Sequence, residues 1–128
     1  MKNAYVDSSC FVAIALGEPG YRDLLSLLSR FDRLLSSNLL EAELRSALAR
    51  EAAPGTIKNL VAWVSWIYPA RRLTPEFGQV LEIGTVKGAD LWHLACALSL
   101  RTTMGPISFL TLDNGQGDIA RALGFPGL

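Results

Sequence analysis

The chain has 128 residues, half of them hydrophobic and 19% charged; this suits one folded domain with its own core and excludes a disordered chain or a pair of domains. The formal net charge is zero, which argues against a protein that only coats nucleic acid and leaves room for an enzyme that touches it briefly. The apolar stretches are far shorter than the roughly 20 residues of a membrane span, and "MKNAYVDSSC" meets an acid at once, so no signal peptide is read and a cytoplasmic protein is expected.

"NAYVD" predicts a short buried strand, for which Tyr5 and Val6 are well suited. "SSCFVAIAL" predicts a helix with Ser8 or Ser9 as its cap and Gly17 as its stop. After a turn at Pro19 and Gly20, "YRDLLSLLSRF" sets Leu24, Leu25, Leu27 and Leu28 at helical spacing, and "DRLLSS" reads as a second strand. "NLLEAELRSALAREA" is the clearest helix and stops before Pro54-Gly55. "TIKNLVAWVSWIY" predicts another, with Leu60, Val61, Trp63, Val64 and Ile67 on a broad apolar face. "ARRLTP" reads as a short strand, "PEFGQVLEIGTV" as a helix weakened by Gly78 and Gly84, and "GADLWHLACALSL" as a strongly apolar helix. "PISFLTLD" follows a Gly105-Pro106 break as a strand, and "GDIARALGF" is a last short helix ending at Gly124. Strands alternating with one or two helices predict an α/β three-layer sandwich: a central, mostly parallel sheet flanked by helices, with residues 1–128 as a single domain.

In such sheets the active site lies outside the carboxyl ends of the strands. Asp7 follows the first strand and Asp113 ends "ISFLTLD", so the two are expected near one another. Helical geometry selects a third acid. At about 100° per residue, Leu39, Leu40, Leu44, Ala47 and Leu48 form one apolar arc, and Glu43 falls inside it. Glu41 lies at the edge, four residues before Arg45, where a solvated helix pair fits. A carboxylate on a buried stripe needs a cation, a hydrogen-bond partner or a raised pKa. Asp90 opens "DLWHLACALSL", with an N-terminal cap as its alternative reading. Taken singly, Asp7 could also be a cap and Asp113 part of the turn "LDNGQG". Four carboxylates in one cleft repel each other unless a cation sits between them, and oxygen-only ligation suits Mg²⁺ or Mn²⁺.

"YVDSS" with its following helix, "SSNLLEAELRSAL", "GADLWHLACAL" and "FLTLDNGQGDIARALGF" resemble, in that order and nearly end to end, the PIN-domain family. More narrowly they resemble the VapC-type toxins of bacterial toxin–antitoxin pairs. On that resemblance Asp7, Glu43, Asp90 and Asp113 are the family's four acids; Asp90 stands in a "D-x-x-H-x-A" setting with His93 and Ala95, and Asp113 in a "T-x-D" with Thr111. The resemblance implies a parallel sheet flanked by helices, Mg²⁺ or Mn²⁺ held by the acids, and hydrolysis of RNA to a 5′-phosphate and a 3′-hydroxyl. Asp7 and Asp90 are expected at a first ion, directly or through water, Asp113 at a second ion or orienting the water, and Glu43 acting through metal-bound water, as proton acceptor if its pKa is raised. The resemblance also implies restraint by a small antitoxin and a homodimer, which the apolar faces of "DLLSLLSRF" and "TIKNLVAWVSWIY" favour as well. Two departures are visible: "DNGQGD" is richer in glycine than the pattern, and "GFPGL" leaves only a stub for the last edge strand.

The competing reading is a non-catalytic PIN-like module that binds protein or RNA. A phosphoreceiver domain needs an early acidic pair and a late lysine, and a haloacid-dehalogenase-like phosphatase needs an Asp-x-Asp where this chain has Ser9. Cys10 and Cys96 lie in apolar helical segments with no metal-ligand spacing and read as reduced, buried thiols. His93 reads as a packed histidine rather than a ligand, and Trp63 and Trp66 as core or partner surface rather than base-stacking platforms. Arg45, Lys87 and Arg121 are candidates to meet phosphate, and Asp118 is either a fifth acid or a helix start.

Overall fold

The structure, a computed structural model, describes residues 1–51 and 57–128. Four strands form one sheet: β1 (Asn3–Val6), β2 (Arg33–Ser37), β3 (Val64–Ile67) and β4 (Ser108–Leu110). They lie in the order β3-β2-β1-β4, and every pairing is parallel. Tyr5 stands opposite Leu35 on one side and Phe109 on the other. Because successive residues of a strand face opposite ways, Ala4, Val6, Leu34 and Leu110 enter one core while Tyr5, Leu35 and Phe109 enter the other.

Helices α1 (Ser8–Ala15), α2 (Tyr21–Leu28), α3 (Leu39–Arg50) and α4 (Ile57–Val61) cover the first face. Helices α5 (Thr74–Ile83), α6 (Gly88–Met104) and α7 (Asn114–Ala122) cover the second. The result is the three-layer α/β sandwich expected, with an all-parallel sheet. In α3 the residues Leu40, Leu44 and Leu48, spaced by four, are fully buried and make its inner stripe. The expected end of that helix at Pro54-Gly55 lies outside the described residues.

Several elements differ from the sequence expectation. "TIKNLVAWVSWIY" is not one helix: α4 ends at Val61 and residues 64–67 become the edge strand β3. Val64, Trp66 and the aromatic, β-branched run around them suit a pleated surface, and the free edge of β2 captures them. "ARRLTP" is not a strand; Leu73 is buried, Arg71 makes a two-pronged ion pair with Glu76, and helix α5 begins at Thr74. Helix α5 stops at Ile83, where Gly84 is extended, rather than running on to Val86. The last helix starts three residues early, at Asn114, because Asp113 caps it through Gln116 N–H at 2.8 Å. Likewise Asp7, and not Ser8 or Ser9, caps α1, accepting from Ser9 N–H at 3.1 Å. Gly17 ends that helix as expected, at φ 65°, the left-handed conformation glycine tolerates.

Beyond α7 the tail returns to the outer edge of β4 through one backbone bond, Phe109 N–H to Pro126 O at 2.8 Å, in place of a fifth strand. Leu24 and Leu28 of α2 and Ile57, Leu60 and Val64 face the core, so the apolar faces that suggested a dimer are largely covered within the chain. Trp63 and Tyr68 remain exposed. No helix among the described residues is long and apolar enough to cross a membrane.

Candidate active site

The parallel sheet brings the carboxyl ends of β1 and β4 side by side, and the ladder continues one step past them, with Asp7 N–H donating to Leu110 O at 2.9 Å. Asp7 is 4% exposed. Its Oδ2 accepts from Ser9 N–H, and its Oδ1 lies 3.5 Å from the Gln116 amide nitrogen. The orientation of Gln116 follows from Thr111, whose hydroxyl donates to Gln116 Oε1 at 2.7 Å, leaving the amide NH₂ for Asp7 and for the Asp90 carbonyl at 3.4 Å. Thr111 Oγ1 in turn accepts from Asp113 N–H at 3.1 Å, and Leu112 N–H donates to Ser9 Oγ at 3.0 Å. The "T-x-D" segment is thus a brace that locks the loop after β4 against the start of α1.

Glu43 and Asp90 reach the same sheet edge from helices on opposite faces. Glu43 Oε1 meets His93 Nε2 at 2.6 Å, and that nitrogen is 3.9 Å from Asp7 Oδ1. Glu41 points away and pairs with Arg45 at 2.7 Å. Asp90 is not the cap of α6, since Lys87 occupies that position; it sits in the first turn, partly buried. Its carboxyl is pushed above the usual carboxylate range, first by burial and then by the negative charge of Asp7, Asp113 and Glu43, with His93 opposing. Each of the other three acids therefore lies within electrostatic reach of Asp90. Asp118 is not among them: 70% of its side chain is exposed and it pairs with Arg121.

Asp113 lines three grooves, two of which also take in another of the four acids. One, of about 740 Å³, is lined by Ser8, Ser9, Glu43, Ser46, Arg50 and Asp113 among others. The other, of about 500 Å³, runs past Lys87, Asp90, Asp113 and Gln116. Of the three candidate cations, Lys87 lines the groove that takes in Asp90 and Asp113, whereas Arg45 and Arg121 are each paired with a neighbouring acid on their own helix. Trp63 and Trp66 line neither groove. Cys10 and Cys96 are fully buried and unpaired by any disulfide, and burial pushes each thiol up to about 12.

The chemistry of the group suits a hard divalent cation: carboxylate oxygens from four elements whose negative charges oppose one another. The spacing is not closed around one point, however. Among the described residues no three His, Cys, Asp or Glu side chains are placed to hold an ion together, and Glu43 is engaged by His93. Sequence reasoning missed three participants. Gln116 was legible as a polar residue on the stripe it shares with Ile119, Ala120 and Leu123; Tyr5 and Arg50 gave no such signal.

The all-parallel sheet and the acids at its carboxyl edge define a PIN-like α/β architecture, and the PIN domain family model matches residues 4–122. The chain belongs to the PIN domain family. Among solved structures it is similar to a chain of "VapBC2 from Rickettsia felis bound to a DNA fragment from their promoter", at TM-score 0.69 and 15% identity, over 98% of this chain and 97% of that one. That likeness is one of fold. No match was found among curated proteins.

Proposed function

We propose that this chain is a metal-dependent endoribonuclease, the toxin of a toxin–antitoxin pair, acting as a single PIN-like domain on RNA in the cytoplasm. The observation that carries the reading is geometric: Asp7 and Asp113 stand at the carboxyl ends of the neighbouring strands β1 and β4, Glu43 and Asp7 approach the same His93 nitrogen at 2.6 and 3.9 Å, and Gln116 spans Asp7 and the Asp90 carbonyl. Membership of the PIN family supports nuclease chemistry. The fold likeness to a VapBC2 chain supports an antitoxin partner, and exposed Trp63 and Tyr68 support a protein interface, including a homodimer.

In this reading Asp7, Asp90 and Asp113 would hold Mg²⁺ or Mn²⁺, with Glu43 beside them. A bound divalent cation supplies neutralisation of the phosphodiester charge and activation of water. The chain's own residues do the rest. Ser9 N–H and the Gln116 amide hold Asp7 in one orientation. Lys87 and Arg50 line grooves that share Asp113, and in this reading they would meet backbone phosphates. Glu43, with one oxygen tied to His93, is the group to accept a proton. No covalent intermediate is required, so neither Ser8 nor buried Cys10 need be a nucleophile.

The second reading, a non-catalytic PIN-like binding module, is favoured by one observation: the acids are not closed around a common point. A Mn²⁺ titration separates the two. The nuclease reading expects saturable binding that Asp7→Asn and Asp90→Asn each weaken; no binding to the wild-type chain supports the module instead.

A further inference from the structure

Strand alternation puts Tyr5 and Asp7 on the same side of β1, and both approach the ring of His93. Tyr5 and His93 are fully buried. Tyr5 Oη lies 2.6 Å from His93 Nδ1, and His93 Nε2 lies 2.6 Å from Glu43 Oε1. At the far end, Ser37 N–H donates to Tyr5 Oη at 3.3 Å. The direction of this chain of bonds follows from its two ends. A backbone N–H can only donate and a carboxylate can only accept. A neutral imidazole carries one N–H, and because Glu43 Oε1 can only accept, that proton sits on Nε2, leaving Nδ1 to accept the Tyr5 proton while Tyr5 Oη accepts from Ser37 N–H. The opposite tautomer would set a nitrogen lone pair against a carboxylate oxygen at 2.6 Å.

We propose that Tyr5 and His93 are positioning residues: a one-way donor relay from Ser37 N–H through Tyr5 and His93 fixes Glu43 by its Oε1 and leaves Oε2 to the groove. The relay explains how a glutamate on a partly apolar helix stripe keeps one geometry at the groove. It also ties the orientation of Glu43 to the β1–β2 pairing, 88 residues distant in sequence from His93 at the Tyr5 contact. His93 touches neither RNA nor cation; it acts through Glu43. The consequence for catalysis rests on the nuclease reading, whereas the relay itself does not.

The chain contains a single histidine, so ¹⁵N spectra of the imidazole report on His93 alone. In the metal-free protein the expected result is a proton on Nε2 and none on Nδ1; a protonated Nδ1 overturns the relay. This readout needs neither activity nor a variant that folds. The second arm compares His93→Gln, which keeps an N–H within reach of Glu43, with His93→Leu, which does not. His93→Leu is expected to lower kcat for RNA cleavage by about 10–100-fold, the usual loss when the partner that orients a group at a metal site is removed, with KM little changed. His93→Gln should recover most of that loss even where its melting temperature falls as far. Equal losses in the two variants, measured where both are folded, overturn the positioning role. If wild type neither binds Mn²⁺ nor cleaves RNA, the nuclease reading fails, and the imidazole spectrum alone decides the relay.

Discussion

Replacing Tyr5 by Phe removes one oxygen atom and little else. The ring contacts survive: Phe109 stacks on Tyr5 at 5.5 Å between centroids with 4° between planes, and His93 meets it edge-on at 5.6 Å. Two buried groups lose their partner, His93 Nδ1 at 2.6 Å and Ser37 N–H at 3.3 Å. A buried polar group left unsatisfied costs about 1–3 kcal/mol. The short His93 bond belongs in the upper part of that range and the long Ser37 bond at the bottom. Phe needs no desolvation of a hydroxyl, which offsets part of the sum, and a net loss of about 2 kcal/mol results. For a chain of this length that corresponds to a melting temperature lower by about 8 °C, at roughly 4 °C per kcal/mol. Burial holds the Tyr5 hydroxyl well above the ordinary phenol range, so it remains a protonated donor throughout the neutral range of the assay. Urea unfolding followed by circular dichroism should show a lower midpoint with an unchanged m-value. Tyr68→Phe, at a residue 68% exposed, serves as the control and should stay within about 0.5 kcal/mol of wild type. If Tyr5→Phe is as stable as that control, the hydroxyl bridges nothing and the reasoning from buried, unsatisfied groups fails.

Asp90→Asn should match or exceed wild-type stability in chelator at pH 7. The folded-state pKa of Asp90 is raised, so its ionised form opposes folding above the ordinary carboxylate range, and the advantage of Asn should fade as pH falls toward 4 and wild type protonates; thermal melts across that range check the sign. Glu43→Ala should lower RNA cleavage by about 100-fold or more, as expected on losing a general base, whereas Glu41→Ala should leave cleavage intact and cost about 0.3–0.5 kcal/mol for its exposed pair with Arg45; the reverse pattern would overturn the assignment. Cys10 and Cys96, with thiols pushed up to about 12 by burial, should resist iodoacetamide at pH 8 in the native protein and both react in denaturant, as mass spectrometry would show.

The sequence carries the parallel layout because its strand segments are short, apolar and separated by long helical segments. It also carries Asp7 and Asp113, since acids at the carboxyl ends of parallel strands must fall at one edge. Glu43 was legible from the arc it interrupts. Strand β3 was not: Leu60, Val61, Val64 and Ile67 fit a helical face, and only the open edge of β2 decides for a strand. The bonds Tyr5–His93 and Gln116–Asp7 join residues 88 and 109 apart in the chain, and no local pattern encodes such pairs. They exist because the topology brings β1, α6 and α7 together.

The central claim is that the four acids make this chain a metal-dependent ribonuclease, and cleavage of RNA by the purified chain tests it most directly. Wild type, Asp7→Asn and Asp90→Asn are assayed with Mg²⁺ or Mn²⁺ and again in chelator. Wild type is expected to cleave with metal and not in chelator, and both folded variants to lose activity. Equal cleavage by wild type in chelator, or full metal-dependent activity in both variants, would contradict the claim.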